Sequence, residues 1–251
     1  MMSYVVVGVV AILLLIAVAE LRTRIRNRRQ LEPLATAVEA MRRTTTQEIT
    51  YRPPTPAEAA LGDDRGLFEA AERELHEQGL TVLGDLVEEQ PGGIVIGTTR
   101  WFLDPSRTVT GWFGVVRHRE SGAVNPTMMV FSESESGDFF LTGRGAAGRV
   151  LARPPAVHRA FYPWNEGLAR VLERHLVQTV QASSGGRSAL RRVEGIDEAV
   201  ALLGRLRETA ARWRASQPRE ALLKEDVRSL LQERFADLGR PLIELMTARG
   251  Y

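Results

Sequence analysis

The first 19 residues contain no charged side chain, and Val, Ile, Leu and Ala fill almost every position from Tyr4 to Ala19. A helix in the core of a soluble protein carries a polar stripe, which this segment lacks. At about 1.5 Å per residue, its helical length approaches the ~30 Å hydrocarbon core of a bilayer. The pattern predicts a transmembrane helix over residues 1–21.

Five arginines follow the apolar segment directly: Arg22, Arg24, Arg26, Arg28 and Arg29. Because positively charged flanks stay in the cytoplasm, this asymmetry predicts an inner (plasma) membrane protein, N-out with a cytoplasmic C-terminal domain. Ala17-Val18-Ala19 also fits a signal-peptide cleavage site, so an exported, cleaved chain is the alternative. That alternative lacks the positive charge that signal peptides carry before the apolar run.

Residues 22–55 are first Arg-rich and then polar and Pro-rich, which predicts a juxtamembrane segment and a linker. Over residues 56–181 the spacing of apolar residues is first typical of helices, then of strands, and then of a helix again. The turns between the strand-like runs are too short for crossover helices, so the runs predict an antiparallel meander. The five predicted strands cover residues 80–87, 94–103, 108–117, 127–131 and 138–142.

A helix is predicted over residues 165–181, with one buried apolar stripe: Leu168, Val171, Leu172, Leu176 and Val180. Residues 182–251 are predicted to be a helical extension, in which a Ser/Gly-rich boundary at residues 183–186 precedes a helical pattern that starts at Ile196. Its roughly 60 residues are marginal for a core of their own. We therefore expect the extension to pack on the sheet domain or on a partner. The predicted fold class is α+β: a single transmembrane helix, a five-stranded antiparallel meander flanked by helices, and a C-terminal helical extension.

The composition excludes several classes of function. Cys is absent, which excludes disulfides, thiolate zinc sites and Cys nucleophiles. The net charge of +2 combines the N-terminal Arg cluster with a slightly acidic remainder, so no nucleic-acid partner is expected. Lys224 is the only lysine and follows no Gly-rich loop, which excludes a P-loop.

Residues 143–148 match the G-x-G-x-x-G motif of dinucleotide-binding proteins. That chemistry needs a following helix whose N-terminus holds the pyrophosphate. Pro154 and Pro155 would stop such a helix after one turn, and the preceding strands are predicted to be antiparallel. We interpret the motif as a flexible Gly/Ala loop, so no cofactor is predicted.

The sequence contains no recognisable catalytic or metal-binding pattern. Its four histidines form no H-E-x-x-H motif, and both His76 and His175 are expected at surface positions of helices. No G-x-S-x-G nucleophile elbow occurs either. No catalytic or metal-ligating residue is therefore predicted, since an enzyme would need a converging polar cleft that the pattern does not reveal.

One basic stretch is a candidate binding surface. No acidic residue occurs over positions 139–165, which contain four arginines: Arg144, Arg149, Arg153 and Arg159. A Gly-rich loop with several arginines can bind phosphate or carboxylate, or anionic lipid headgroups when a bilayer is close. A solvated basic loop explains the same pattern without a function.

The leading functional hypothesis is a membrane-tethered cytoplasmic interaction or scaffolding module. Its expected contact surfaces are the Arg-rich loop, for an anion or lipid, and the C-terminal helices, for a protein partner. The alternative is an exported, signal-cleaved protein that binds an apolar ligand on its aromatic-rich sheet. The sheet aromatics are Trp101, Trp112, Phe113, Phe131, Phe139 and Phe140, and such residues more often form core.

Overall fold

The computed structural model describes residues 30–39, 42, 49–90, 94–117, 124–145, 151–182, 189–231 and 235–251. The chain divides into two compact units. The smaller combines Met1–Thr44 with Pro218–Tyr251, and the larger is Thr45–Gln217. This division differs from the predicted segments 1–21, 22–55, 56–181 and 182–251, because residues 182–217 belong to the unit that contains the sheet.

The strands are β1 (Thr50–Arg52), β2 (Thr81–Gln90), β3 (Ile94–Leu103), β4 (Thr110–Arg117), β5 (Val124–Glu133), β6 (Phe139–Gly145) and β7 (Val157–Tyr162). The helices are α1 (30–39), α2 (Pro56–Ala59), α3 (Arg65–Glu77), α4 (Leu168–Ala182), α5 (Ile196–Ser216), α6 (Arg219–Leu231) and α7 (Phe235–Ala248), with a 3-10 helix at Gly62–Asp64. The helices α1, α6 and α7 belong to the smaller unit, and every other element belongs to the larger one.

The strands form one mixed sheet in the order β1-β2-β3-β4-β5-β6-β7. Strands β1 to β6 are antiparallel neighbours, whereas β7 pairs with β6 in parallel, with Val157 opposite Phe139. The structure is α+β, but the predicted five-stranded antiparallel sheet is wrong, because the sheet has seven strands and one parallel pair. The five predicted strands correspond to β2–β6, which pair in antiparallel order. The two added strands, β1 and β7, lie in segments predicted as linker and loop. Their pairing with β2 and β6 is a tertiary contact, which local patterns do not encode.

Both faces of the sheet are covered by helices. One face packs with α3 and α4 in a core that includes Phe68, Leu75, Phe102, Phe113, Met128, Val130, Leu168 and Val171. The other face packs with α5 in a core that includes Trp101, Leu103, Phe131, Phe139, Val157, Leu202 and Leu206. Successive strand residues such as Trp101 and Phe102 point to opposite faces, and both are completely buried. Most aromatic side chains of the strands therefore belong to the core.

Local sequence explains where the first helices begin and end. The hydroxyl of Thr55 accepts a hydrogen bond from the backbone N–H of Glu58, whose carboxylate accepts from the N–H of Thr55, so a capping box starts α2. Gly79 terminates α3 at φ 71°, a left-handed conformation that glycine adopts without strain. Leu61 follows α2 at φ 58°. A side chain in this conformation costs about 1–2 kcal/mol.

In the smaller unit, α6 and α7 pack together and bury a set of apolar side chains that includes Leu223, Val227, Leu230, Leu242 and Met246. Arg249, just after α7, forms ion pairs with Glu32 and Glu39. The hydroxyl of Tyr251 donates to the buried carboxylate of Asp226 on α6. These contacts join α1 to helices that lie far away in the sequence.

Among the residues that the structure describes, none of the helices has the length and apolar character needed to cross a membrane. The predicted transmembrane helix, residues 1–21, lies outside those residues, as do its flanking arginines Arg22, Arg24, Arg26, Arg28 and Arg29. The prediction of an integral inner-membrane protein, N-out with a cytoplasmic domain, is corrected by this finding.

Candidate functional site

A buried polar cluster connects α4 to the sheet. His175 on α4, Ser132 on β5 and Thr142 on β6 have no exposed surface. Nε2 of His175 lies 2.9 Å from the hydroxyl oxygen of Ser132, and Nδ1 lies 2.9 Å from that of Thr142. Both ring nitrogens are therefore hydrogen-bonded, which satisfies the imidazole inside the core. The prediction that His175 occupies a surface position is wrong.

Burial keeps His175 neutral. Desolvation lowers the pKa of His175 from 6.5 to about 4, because removal from water disfavours the imidazolium form. Ser132 and His175 have the chemistry of a nucleophile and its base. Complete burial denies a substrate access to both, and among the described residues no carboxylate hydrogen-bonds to the ring. The cluster therefore connects α4 to β5 and β6 inside the core.

The outer side of α4 exposes three large apolar side chains. The exposed fractions are 48% for Leu176, 46% for Val177 and 70% for Val180. Elsewhere in the described chain, only Val124 is a large hydrophobic residue with comparable exposure. The predicted buried stripe is wrong for Leu176 and Val180, since His175 and Thr179 occupy the buried positions of these turns. We call Leu176, Val177 and Val180 the α4 patch.

An open groove of about 470 Å³ borders the α4 patch. Strand β7 contributes Ala160 and Tyr162 to its lining, and Val177 belongs to both the groove and the patch. The remaining lining residues are polar or charged side chains of α4: Arg170, Glu173, Arg174, Gln178 and Gln181. The groove thus provides a polar rim along one side of the apolar patch.

The two groove arginines share one acidic neighbour. Oε1 of Glu166 lies 2.9 Å from Nε of Arg170 and 3.6 Å from Nη2 of Arg174. The Arg174 guanidinium also lies over the Tyr162 ring, 4.6 Å from its centroid, in a cation–π contact. The Arg170 side chain is 63% exposed. Solvent therefore screens the Arg170 end of its ion pair, whereas the Glu166 side chain is only 19% exposed.

Arg144, predicted to contact an anion, is a buried residue of β6. Its Nη1 lies 2.6 Å from Oε2 of Glu74, and its Nε donates to the Trp164 carbonyl at 3.0 Å. The guanidinium also lies 4.3 Å from the centre of the Trp164 ring. The same Glu74 accepts from the N–H of Leu168, the first residue of α4, at 3.0 Å. Arg144 therefore stabilises the start of α4.

Two of the other three arginines of the basic stretch contact backbone carbonyls. Arg153 donates to the carbonyl of Val157, and Arg159 donates to the carbonyl of Leu151 at 2.7 Å. Arg149 lies outside the described residues. Arg153 and Arg159 therefore stabilise the segment that leads into β7 through hydrogen bonds to backbone carbonyls. Their binding of an anion or a lipid headgroup stays a prediction.

The first glycines of the G-x-G-x-x-G motif lie in strand β6. A Cβ atom on Gly143 would lie 2.4 Å from the Phe161 ring, and one on Gly145 would lie 2.3 Å from the Pro126 carbonyl oxygen. Both glycines therefore permit close packing against neighbouring strands, and the interpretation as a flexible loop is wrong for them. Residues 146–148 lie outside the described part.

Within the described stretches, no group of three or more His, Asp or Glu side chains is arranged to hold a metal ion. No protein family, curated protein or solved structure matches the chain. Functional inference therefore depends on the surfaces themselves, and the α4 patch with its groove is the surface with the most distinctive chemistry.

Proposed function

We propose that this chain is a protein-interaction module whose docking surface is the α4 patch. The observation that carries the proposal is the exposure of Leu176, Val177 and Val180 on a helix whose opposite side is locked into the core. Contiguous exposed apolar groups rimmed by polar residues mark contact sites on proteins.

The anchoring of α4 favours a docking role. His175 and Thr179 are buried beneath the two turns that carry the patch, and Leu168 and Val171 are buried in the turns before them. The exposed side chains therefore stand on a backbone that is already ordered. A preordered surface loses less conformational entropy when a partner binds.

We infer that the occupant is a short amphipathic helix of a partner protein. The patch residues follow i, i+1, i+4 spacing, which forms a ridge along α4 against which a second helix can pack. Three side chains cover far less than the ~800 Å² per partner of a standard interface, which disfavours a stable dimer of this chain. The charged side chains of the groove would orient the partner helix.

The α4 patch is a better candidate surface than the C-terminal helices of the sequence-based hypothesis. None of the strongly exposed large hydrophobic side chains in the described chain lies on α6 or α7. Leu230 on α6 and Leu242 on α7 are instead buried. A protein partner at those helices stays a prediction without an apolar surface to support it.

Site-specific photo-crosslinking at position 180 tests the proposal. The full-length chain carries benzoyl-phenylalanine in place of Val180, is irradiated in its native cells, and the cross-linked peptide is sequenced. We expect one partner segment with apolar residues at helical spacing. Changing Leu176 and Val177 together to Asp should abolish the crosslink, since each charge would be buried in the contact.

The matched control is the double substitution Ala211→Asp/Ala215→Asp, which adds the same charge at two exposed positions of α5 and should preserve the crosslink. A crosslink that survives the Leu176→Asp/Val177→Asp double substitution would refute the α4 patch as the docking surface. A cross-linked peptide from a second copy of this chain, or from a segment without amphipathic spacing, would refute the proposed occupant.

A further inference from the structure

The groove beside α4 includes one small side chain of β7 in its lining. Ala160 pairs with Thr142 in the parallel ladder of β6 and β7, so both side chains point to the face of the sheet that α4 covers. The hydroxyl of Thr142 donates to Oε1 of Gln178 at 3.5 Å, which places Gln178 of α4 beside this pair. Because Ala160 carries only a methyl group, the groove keeps a volume of about 470 Å³ between β7 and α4.

An aromatic ring and a guanidinium stack at one end of the groove. Tyr162 lies two residues after Ala160 on the same side of β7 and packs against the core beneath α3 and α4. The Arg174 guanidinium lies 4.6 Å from the centroid of the Tyr162 ring, and its Nη2 lies 3.6 Å from Oε1 of Glu166. A planar guanidinium has two faces, so it can stack on a second ring while it keeps both of these contacts. The Arg174 side chain is 36% exposed, which leaves room for such a ring.

Val177 connects the groove to the α4 patch, because it lines the first and belongs to the second. A helix that lies on the patch can therefore direct one of its side chains into the groove. The groove volume falls within the roughly 300–1,000 Å³ range of ligand sites, and aromatic rings are the side chains that fill such a space with the most contact area. Aromatic residues are also the commonest anchors in the pockets of protein interfaces.

We propose that the groove binds an aromatic side chain of the partner helix. This inference rests on the proposed function, because it names the residue type by which the partner at the α4 patch is recognised. The ring would lie over the methyl group of Ala160, with Val177 at its edge and the Arg174 guanidinium against its face. A guanidinium attracts the face of an aromatic ring, where the π electrons concentrate negative charge.

Methyl-selective NMR on the full-length chain tests this proposal with two uncharged probes, N-acetyl-tryptophanamide and N-acetyl-leucinamide. The probes differ only in carrying an aromatic or an aliphatic side chain. We expect the tryptophan probe to shift the methyl resonances of Ala160 and Val177 with a Kd below about 10 mM. The leucine probe should bind at least about threefold more weakly, because it cannot stack on Arg174.

Three substitutions locate the ring. Ala160→Leu fills the groove and should abolish the shift of Val177. Ala169→Leu makes the same change at an exposed position of α4 that does not line the groove, and should preserve the shift. Arg174→Lys keeps the charge but removes the planar group, so the two probes should then bind equally.

The proposal is overturned if neither methyl group shifts, if the two probes bind the unmodified chain equally, or if Ala160→Leu binds like the unmodified chain. An Arg174→Lys chain that still prefers the tryptophan probe would overturn the stacking contact. In the crosslinking experiment at position 180, a captured helix without an aromatic residue would overturn this inference and leave the α4 patch as the docking surface. Binding of the tryptophan probe without any captured partner would instead refute the proposed function.

Discussion

Nε2 of His175 lies 2.9 Å from the hydroxyl oxygen of Ser132, across the contact between α4 and β5. Through its other nitrogen the same ring reaches Thr142 on β6 at 2.9 Å. One side chain thus connects α4 to two adjacent strands. The position of the α4 patch depends on this connection, because the patch lies on the other side of the same turns.

The substitution His175→Ala should destabilise the larger unit by about 2–4 kcal/mol, because it leaves a cavity and removes the partner of two buried hydroxyls. Urea unfolding followed by far-ultraviolet circular dichroism measures the free energy of unfolding. His76→Ala, at an exposed position of α3, is the control and should change this free energy by less than about 0.5 kcal/mol. Equal effects of the two substitutions would contradict the anchoring role.

Acid should destabilise the fold through His175. Its pKa is 6.5 when unfolded and about 4 when folded, so between these values the unfolded chain binds the extra proton. The stabilisation is complete above pH 6.5 and is lost as the pH falls towards 4, by up to about 3 kcal/mol. The measurement compares the pH dependence of unfolding with that of His175→Gln, which shares the titrating carboxylates. Parallel curves for the two proteins would exclude this mechanism.

Arg144 should contribute to stability far more than the exposed groove arginine Arg170. Removing the Arg144 guanidinium leaves Glu74 without its ion-pair partner and the Trp164 carbonyl without its donor. We expect Arg144→Ala to cost about 2–4 kcal/mol and Arg170→Ala less than about 1 kcal/mol. Thermal or urea unfolding of the two variants measures these two changes in the free energy of unfolding. A neutral Arg144→Ala would show that the ion pair is not needed to fix the start of α4.

Two glycine-to-alanine substitutions should change the stability of the fold in opposite directions. Gly143→Ala places a methyl group against the Phe161 ring and should destabilise by about 1–3 kcal/mol. Gly66→Ala lies in helix α3 with no atom within 4 Å of the new Cβ, and should stabilise by about 0.5–1 kcal/mol. Melting temperatures measured in parallel report both effects. Tolerance of alanine at position 143 would remove close packing as the reason for that glycine.

Local signals in the sequence locate much of the larger unit. The capping box at Thr55 and the left-handed Gly79 are encoded within a few residues, and the pattern of apolar positions marks the strands that follow Gly79. Strand β7 carries no such marker, because its place beside β6 depends on a parallel pairing across residues distant in sequence. Prolines Pro154 and Pro155 also make the segment before it resemble a loop.

The candidate site was missed for a different reason. Because they are hydrophobic, Leu176 and Val180 were predicted on the buried side of α4. The residues buried there are instead spaced three and four apart along the helix: Leu168, Val171, His175 and Thr179. The spacing of these four residues is present in the sequence. Two of them are polar, so only the hydroxyl partners on β5 and β6 reveal why the core accepts His175.

The positions of its helices along the chain determine when the smaller unit can fold during synthesis on the ribosome. Helix α1 has its ion-pair partner Arg249 near the far end of the chain. At about 5–20 residues per second, the intervening chain takes roughly 10–40 s to emerge. Throughout that interval α1, whose Leu31, Ala35 and Val38 are buried in the finished protein, lacks the other helices of its unit. Chaperones that bind nascent apolar segments therefore have a defined target in α1, and truncated translation products should retain it.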